Sequence, residues 1–374
     1  MSDERTKIRK TRRWVIKIGS ALLTENGCGL HYELLNVWVG QIDKLSKRGI
    51  EVVIVSSGAV AEGISRLGWK TRPNVVHELQ AAAAVGQMGL IQAYETCFQH
   101  YGKHTAQILL THDDVANRTR YLNARTSLNT LIKLGVIPIV NENDTVATDE
   151  IRFGDNDTLA GLVANLIDAE LLVLLTDQKG LYTADPRTDK NAELIEFAQV
   201  NDPNLENYAG EGGKLGRGGM RTKIKAATIA AKSGTKTIIA SGHEDMILIK
   251  IADGEPVGTL LSNTNETVNA RKQWLANQKH LRGSVSLDAG AVVALKQNGK
   301  SLLPVGIRSV NGEFKRGEII ACLDENGKEI ARGLSNYDSV QTELIMGKSS
   351  KEIKLLLGQI DEDELIHRDN MILS

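Results

Sequence analysis

The chain has 374 residues, 41% of them hydrophobic, which is enough to fill the cores of two domains. Its 45 Lys and Arg residues nearly balance its 46 Asp and Glu residues, so the net charge of −1 excludes a global attraction to nucleic acid or to an anionic membrane. The cysteines, Cys28, Cys97 and Cys322, form no C-x-x-C pair, and the sequence has neither an apolar signal core nor a membrane-length apolar run. We therefore expect a cytoplasmic protein with reduced thiols.

From the N-terminus, a basic segment precedes a long stretch of alternating patterns. Residues 1–13 are polar and contain six Lys and Arg residues, and we predict that they form a solvated tail. From Trp14 to Leu261, apolar runs of strand length alternate with longer amphipathic segments, which is typical of an α/β domain with a parallel sheet. The predicted strands are 14–18, 51–55, 105–110, 137–140, 171–175 and 236–240, and the predicted helices include 32–47, 75–101 and 157–167.

The pattern changes after Leu261. Residues 262–282 are charged and rich in Asn, and short strand-like runs punctuated by glycine follow, as at 290–295 and 317–322. We predict a small, mostly β second domain that begins near Gly283. Residues 361–374 are of mixed charge and give no clear structural signal.

Two common nucleotide-binding signatures are absent. Gly-Lys-Ser occurs at 299–301 and 347–349, but the glycine that begins a P-loop is missing in both cases. His-Arg-Asp at 367–369 lies near the chain end without the other protein-kinase motifs. These observations exclude a Walker-type ATPase and a protein kinase.

Polar and glycine residues cluster after several predicted strands, where α/β proteins bind ligands. Lys17 precedes Gly19-Ser20, and Ser57 lies in a tight turn after the second strand, although a strand-end lysine or a helix cap would explain each one alone. The loops 141–144 and 154–157 hold more acids and amides than capping requires, and this favours a functional site. Thr176-Asp177 ends a further strand, before a turn suited to a nucleoside.

A glycine-rich loop at 210–219 leads into a predicted helix that carries Lys223 in its first turn. Backbone N–H groups, the helix dipole and a lysine together suit a polyphosphate. A plain flexible loop is the competing interpretation. Lys223 and the helix start favour the phosphate site.

Taken in their order along the chain, these motifs resemble those of the glutamate 5-kinase family, within the amino acid kinase superfamily. The resemblance covers nearly the whole chain, and the second domain resembles a PUA domain at 302–307 and 314–318. The motifs are Lys17-Ile-Gly-Ser20, Val55-Ser-Ser-Gly-Ala59, Asn141-Glu-Asn-Asp144, Gly154-Asp-Asn-Asp157, Leu175-Thr-Asp-Gln-Lys-Gly-Leu-Tyr182 and Gly218-Gly-Met-Arg-Thr-Lys223.

The resemblance implies a three-layer αβα sandwich with a mainly parallel sheet, followed by a small PUA-like domain. It implies ATP-dependent phosphorylation of the γ-carboxylate of L-glutamate to L-glutamyl 5-phosphate, with Mg²⁺, as the first step of proline biosynthesis. It also implies a homo-oligomer, a dimer or a tetramer, and inhibition by proline. The expected boundaries are a basic tail at 1–13, a kinase domain at 14–265, a linker at 266–282, a PUA-like domain at 283–361 and a C-terminal tail at 362–374.

The resemblance also assigns roles to residues. Lys17 and Lys223 would flank the transferring phosphoryl group, and Asp157 would orient the two ammonium groups. The implied glutamate-binding residues are Ser57, Asp144 and Asn156. The implied ATP-binding residues are Lys17, Thr176, Asp177, Arg217, Gly218, Gly219, Met220, Arg221, Thr222 and Lys223. No protein-held metal site is predicted.

The chemistry agrees with these roles. A carboxylate is already a nucleophile, so charge neutralisation and alignment are the main catalytic requirements. Two positions depart from the family pattern: Arg217 replaces a common threonine, and Ala21 replaces a common serine. The first alters the expected ATP contacts, and the second removes a hydroxyl beside the phosphates.

Other functions remain open at this stage. An N-acetylglutamate kinase or a uridylate kinase would share the first domain without the PUA-like domain. An RNA-binding regulator with a vestigial kinase domain is a third hypothesis, against which the presence of Lys17, Asp157 and Lys223 argues. Residues 283–361 contain ten Lys and Arg and ten Asp and Glu, so we favour a structural or assembly role over RNA binding.

Overall fold

The computed structural model describes residues 2–25, 28–147, 156–208, 219–263, 281–298, 300–357 and 363–373. The chain forms two compact units: Met1–Asn117 with Asn123–Thr267, and Arg118–Leu122 with Val268–Ser374. Along the described ranges, no helix combines the length and apolar character needed to cross a bilayer.

The first unit contains an eight-stranded sheet with the order β5-β6-β4-β1-β7-β9-β10-β8 and a small β2-β3 pair. Its strands are β1 (Arg13–Ile18), β2 (Thr24–Glu25), β3 (Cys28–Leu30), β4 (Glu51–Ser56), β5 (Thr105–Leu110), β6 (Ile137–Glu142), β7 (Leu171–Thr176), β8 (Phe197–Gln199), β9 (Lys236–Ser241) and β10 (Thr259–Ser262). In the large sheet, only the pairing of β9 with β10 is antiparallel. All six strands predicted between Trp14 and Leu261 are confirmed, and most extend by one or two residues.

Eleven helices lie in the described part of the chain before residue 264. They are α1 (Ser2–Ile8), α2 (Ser20–Leu23), α3 (Tyr32–Lys47), α4 (Ala59–Arg66), α5 (Val76–Gln99), α6 (His112–Ala116), α7 (Arg118–Lys133), α8 (Asn156–Leu166), α9 (Leu205–Tyr208), α10 (Met220–Ala231) and α11 (Ile247–Ala252). Several of them, such as α3 and α5, pack against the large sheet. Trp14 and Ile16 of β1 pack in one core cluster with Trp38 of α3. Val15, whose side chain points to the opposite face, is also fully buried. Burial on both faces is the reason for continuous apolar strands and gives the three-layer sandwich.

Two glycines bring α4 and α5 into backbone contact. A Cβ atom on Gly63 would lie 1.7 Å from the carbonyl oxygen of Ala82, and one on Gly86 would lie 1.8 Å from that of Ala59. No larger residue fits at either position without a shift of the backbone. This close approach sets the position of α5 relative to the turn that follows β4.

The prediction of a solvated N-terminal tail is wrong. Residues 2–8 form α1, in which the side chain of Ile8 is 1% exposed. The guanidinium group of Arg5 donates hydrogen bonds of 2.7–3.0 Å to the carbonyl oxygens of Glu196, Glu255, Val257 and Gly258. The basic composition hid this role, because the partners of Arg5 are distant backbone carbonyl groups.

The second unit contains a separate five-stranded sheet with the order β12-β11-β13-β14-β15, in which only the β11-β13 pair is parallel. Its elements are β11 (Gly283–Leu287), α12 (Ala289–Asn298), β12 (Ile307–Asn311), β13 (Ile319–Leu323), β14 (Glu329–Leu334), α13 (Ser339–Ile345), α14 (Ser350–Leu357) and β15 (Met371–Leu373), with 3₁₀ turns at Pro304–Gly306 and Arg368–Asn370.

The run at 290–295 is helical, so its assignment as a strand was wrong. Its valines have high strand propensity. However, Asp288 Oδ1 accepts a hydrogen bond from the Ala291 N–H group at 2.8 Å and caps the start of α12. The strand-like run at 317–322 does correspond to β13.

Candidate active site

The candidate site lies where several parallel strands end. Lys17, in β1, is aligned with Val55 of β4 and with Leu174 of β7. The chain moves outward from β1 to β4 on one side and to β7 on the other, so β1 lies at the topological switch of the sheet. Loops that follow strands on opposite sides of such a point form a ligand-binding crevice.

Asp157 lies between two lysines from distant parts of the chain. Lys17 Nζ lies 2.6 Å from Asp157 Oδ1, and Lys223 Nζ lies 3.1 Å from Asp157 Oδ2. The first contact is an ion pair that is not aligned as a hydrogen bond, whereas Lys223 donates a well-formed one. One carboxylate therefore fixes the positions of two ammonium groups.

Lys17, Asp157 and Lys223, which we call the triad, are buried, and their charges interact strongly. Lys17, Lys223 and Asp157 are 6%, 5% and 1% exposed. Burial alone would raise the pKa of Asp157, but the charges of Lys17 and Lys223 outweigh burial and lower this pKa to about 2. Burial lowers the pKa of Lys223, and repulsion from Lys17 adds to this effect while Asp157 opposes it. The three groups carry a net charge of +1, which suits an anionic ligand.

The first turn of α10 adds further polar groups. Thr222 Oγ1 donates a hydrogen bond to Asp157 Oδ2 at 2.6 Å. Gly219 begins the helix in an extended conformation, and no atom of the described residues beyond its own helix turn lies within 4 Å of a Cβ built on it. A helix N-terminus of this kind binds phosphate groups through its N–H groups and its dipole.

A second polar cluster lies beside the triad. Asn156, the residue before Asp157, has its Nδ2 atom 2.9 Å from Ser57 Oγ, from the Ser56 carbonyl oxygen and from Asn141 Oδ1. Asn141 Nδ2 in turn donates to Gln87 Oε1 at 2.8 Å. We call Ser57, Gln87, Asn141 and Asn156 the amide network.

Asp144 carries an unusual carboxyl group in the loop after β6. It is half-buried, and burial raises its pKa to about 6 although the charge of Arg72 opposes the shift. This carboxyl group therefore changes its charge close to neutral pH. A group of this kind, in a loop that directly follows a strand of the sheet, is a candidate for ligand binding.

Thr176 and Asp177 end β7. Thr176 is 9% exposed, and its hydroxyl group donates to Asp177 Oδ1 at 3.0 Å. The negative charge of Asp177 also acts on Lys223, where it partly opposes the lowering of the pKa by burial. The strand end that was assigned to ATP is thus electrostatically linked to the triad.

The structure brings the predicted residues into three groups. Lys17, Asp157, Thr222 and Lys223 meet in one cluster, Ser57 and Asn156 meet in the amide network, and Thr176 and Asp177 lie at the end of β7. Gly219 and Met220 begin α10, and Arg221 in its first turn is exposed. Of the other predicted positions, Gly154, Asp155, Arg217 and Gly218 lie outside the described residues.

No sequence motif pointed to Gln87 as part of the site, and none gave Asn141 a role of its own. Gln87 lies in an alanine-rich helix, far from every motif. The available signal was a polar residue on the buried face of an otherwise apolar helix. Such a residue needs a buried hydrogen-bond partner.

Comparison with family models agrees with this architecture. Residues 12–241 match the model of the amino acid kinase family, and residues 283–357 match the model of the PUA domain. This chain, a mainly parallel α/β sandwich in which two lysines contact one carboxylate beyond the strand ends, is therefore a phosphotransferase of the amino acid kinase family.

Full-length relatives give a narrower assignment. A glutamate 5-kinase of Nitrosospira multiformis is 60% identical over 367 residues, which cover 98% of this chain and 99% of the relative. Glutamate 5-kinases of Pseudomonas syringae pv. tomato and Chromohalobacter salexigens are 57% and 58% identical and cover 99% and 100% of this chain, with 100% and 98% of their own lengths matched. The chain belongs to the glutamate 5-kinase family.

Proposed function

We propose that the protein transfers the γ-phosphoryl group of ATP to the side-chain carboxylate of L-glutamate. The products are ADP and L-glutamyl 5-phosphate, and the reaction is the first step of proline biosynthesis. The observation that carries the proposal is the convergence of Lys17 and Lys223 on Asp157, next to the contact between Ser57 and Asn156. Identity of 57–60% with relatives named glutamate 5-kinase supports the choice of substrate.

The reaction joins two anions, so the main requirement is positive charge at the point of contact. An oxygen of the glutamate side chain attacks the γ-phosphorus, the bond from phosphorus to the bridging oxygen breaks, and ADP leaves with that electron pair. Because a carboxylate is already ionised at neutral pH, no general base is needed. The ammonium groups of Lys17 and Lys223 neutralise the charge that spreads over the transferring group.

Asp157 acts as a positioning residue in this mechanism. It is buried, ionised and in contact with both lysines, so it holds their ammonium groups at fixed places before the substrates arrive. Thr222 keeps the carboxylate in place through its 2.6 Å hydrogen bond. This preorganisation lowers the reorganisation needed at the transition state.

Two sets of residues would bind the substrates. Ser57, Asn156 and the Asp144 carboxylate form the glutamate set, in which Asp144 supplies negative charge for the substrate ammonium group. The ATP set comprises Lys17, Thr176 and Asp177 at strand ends, together with the run from Arg217 to Lys223, of which Gly219–Lys223 lie within the described residues.

Mg²⁺ enters as a part of the nucleotide substrate. The described residues offer no group of three His, Cys, Asp or Glu side chains placed to hold a metal ion. Both oxygens of Asp157 already contact ammonium groups. We therefore assign no protein ligand to the ion and derive no step through it.

The remaining features complete the proposal. We place the kinase domain at 14–265 and the PUA-like domain at 283–361, with a structural or assembly role for the latter. We also propose a cytoplasmic location, which agrees with the free, buried thiols of Cys97 and Cys322. A dimer or tetramer and inhibition by proline are expected for this family. Light scattering and assays with added proline test these points.

One assay tests the reaction itself. The protein is incubated with MgATP and L-glutamate, N-acetylglutamate or uridylate, and acyl phosphate is trapped with hydroxylamine as a hydroxamate. ADP release is measured in parallel, because a phosphorylated nucleotide forms no hydroxamate. We expect hydroxamate with L-glutamate alone, and its absence with the wild-type protein would exclude the proposed function.

A further inference from the structure

Gln87 is a polar residue whose side chain is buried in the middle of a helix. It belongs to α5, its side chain is 7% exposed, and its Oε1 accepts a hydrogen bond from Asn141 Nδ2 at 2.8 Å. The preceding residue is Gly86, at the backbone contact between α5 and α4. The close packing of these helices therefore carries Gln87 to the amide network.

Two backbone groups fix the orientation of every amide in this network. The Glu142 N–H group donates to Asn141 Oδ1 at 2.9 Å, so this atom of Asn141 must be the oxygen. The Ser56 carbonyl can only accept, so the atom of Asn156 that lies 2.9 Å from it must be the nitrogen. Asn141 Nδ2 then points to Gln87, whose facing atom must be the oxygen.

The other end of the Gln87 amide is consequently an NH₂ group. Gln87 Nε2 is buried and has no hydrogen-bond partner among the described residues. A buried donor without a partner costs about 1–3 kcal/mol, so native proteins normally pair such groups with a ligand or an ordered water. An amide donor next to Ser57, Asn141 and Asn156 lies within the part of the site that we assign to glutamate.

We propose that Gln87 determines specificity for the acceptor, by donating a hydrogen bond from Nε2 to the α-carboxylate of the bound amino acid. This inference rests on the proposed function. The γ-carboxylate reacts between the two lysines, so a neutral amide donor best serves the carboxylate that does not react. A carboxylate oxygen is a pure acceptor and matches the orphaned NH₂ group.

The kinetic consequence is specific. The α-carboxylate has the same charge in the ground state and in the transition state, so loss of its hydrogen bond weakens both equally. Such a loss raises KM and leaves kcat nearly unchanged. A purely structural role of Gln87 would instead disturb Asn156 and Ser57, and would affect every acceptor to the same extent.

The test combines two variants with two acceptors. Gln87→Met removes both hydrogen-bonding ends at similar volume. Gln87→Glu keeps an acceptor for Asn141 and replaces the NH₂ group by an oxygen. The acceptors are L-glutamate and its α-amide, which retains the reacting γ-carboxylate. Gln92→Glu is the matched control, because Gln92 is exposed on the same helix.

For Gln87→Met we expect KM for L-glutamate to rise by about 10-fold to 100-fold, with kcat and the KM for ATP within threefold of the wild type. KM for the α-amide, which is already a weak acceptor, should change by less than threefold. For Gln87→Glu we expect the preference for L-glutamate over the α-amide to shrink or to reverse, because the new oxygen accepts from the amide and repels the carboxylate.

Three results would overturn the proposal: unchanged KM values in both variants, equal KM increases for both acceptors, or a loss of kcat without a change in KM. Unchanged KM values would mean that an ordered water, and not the substrate, is the partner of Nε2. If Gln87→Met does not fold, Gln87→Glu alone decides through its acceptor preference. Failure of the proposed function is distinguishable, because the wild-type protein would then form no hydroxamate with L-glutamate.

Discussion

The ammonium nitrogen of Lys223 lies 3.1 Å from Oδ2 of Asp157, and both side chains are almost completely buried. Lys17 Nζ lies 2.6 Å from Oδ1, the other oxygen of the same carboxylate. In water, two lysines would repel each other and move apart. Here a single buried anion holds them together, so a site for a polyanion exists before any ligand binds.

Replacement of Lys223 by alanine tests the catalytic role of the triad. We expect Lys223→Ala to lower kcat by about 10²-fold or more, because it removes charge stabilisation that is strongest in the transition state. The hydroxamate assay measures this loss. Lys225→Ala is the matched control, since Lys225 is exposed on the same helix and should keep full activity. An unchanged kcat in Lys223→Ala would remove this residue from the mechanism.

Replacement of Asp157 by asparagine tests the buried charge. Asp157→Asn leaves two buried ammonium groups without an anion, so we expect the free energy of unfolding to fall by about 3 kcal/mol at pH 7. Because burial and Lys17 already lower the pKa of Lys223, that lysine should lose its proton more easily in the variant, and the cost should shrink towards pH 10.

Urea unfolding of Asp157→Asn and of the wild type at pH 7 and pH 10 measures this difference. Asp253→Asn serves as the control, because Asp253 forms an exposed ion pair with Arg48 and its loss should change stability by less than about 1 kcal/mol. A destabilisation of Asp157→Asn that does not depend on pH would contradict the electrostatic account.

Replacement of Asp144 by a neutral residue should have opposite effects on stability and on substrate binding. Its pKa is about 6 in the folded protein against 3.8 in the ordinary state, so the unfolded chain loses its proton first as the pH rises. The stability contributed by this group is therefore complete below pH 3.8 and is lost as the pH rises through 6.

We therefore expect Asp144→Asn to stabilise the free protein, with a gain at pH 8 that exceeds the gain at pH 5 by about 1 kcal/mol. KM for glutamate should rise by at least about 10-fold, because the charge that faces the substrate ammonium group is lost. Denaturation at both pH values and steady-state kinetics measure the two effects, with Asp189→Asn, an exposed position, as the control. Lower stability at pH 8 would refute this reasoning.

Arg5 should anchor the N-terminal helix. Arg5→Ala removes four hydrogen bonds to distant carbonyl groups, so we expect a loss of about 2–4 kcal/mol in the free energy of unfolding of the first unit. Lys10→Ala, at an exposed position of the same segment, should have no measurable effect. Hydrogen exchange at residues 255–258 locates the change, and equal protection in both variants would show that α1 is not anchored there.

Local patterns were sufficient for six of the eight strands of the large sheet. The strands β6 and β7 are buried along their whole length, and their apolar runs were recognisable without knowledge of their neighbours. The run at 290–295 misled the same reasoning, because a capping contact from Asp288 selects the helix there. The motif residues were found by their position after strands, which also placed Lys17, Ser57 and Asp157 at one edge of the sheet.

The sequence by itself determined six strands of the large sheet, and it indicated the chemistry of the loops that follow them, because periodicity and strand ends are local properties. The resemblance to a known family implied that Asp157 orients Lys17 and Lys223, and the structure shows both contacts. Only the tertiary structure decided that Arg5 binds remote carbonyl groups and that Gln87 contacts Asn141, which in turn contacts Asn156. These contacts depend on strand order and on the backbone contact between α4 and α5. Such contacts join residues that lie far apart in the chain, and no local pattern records them.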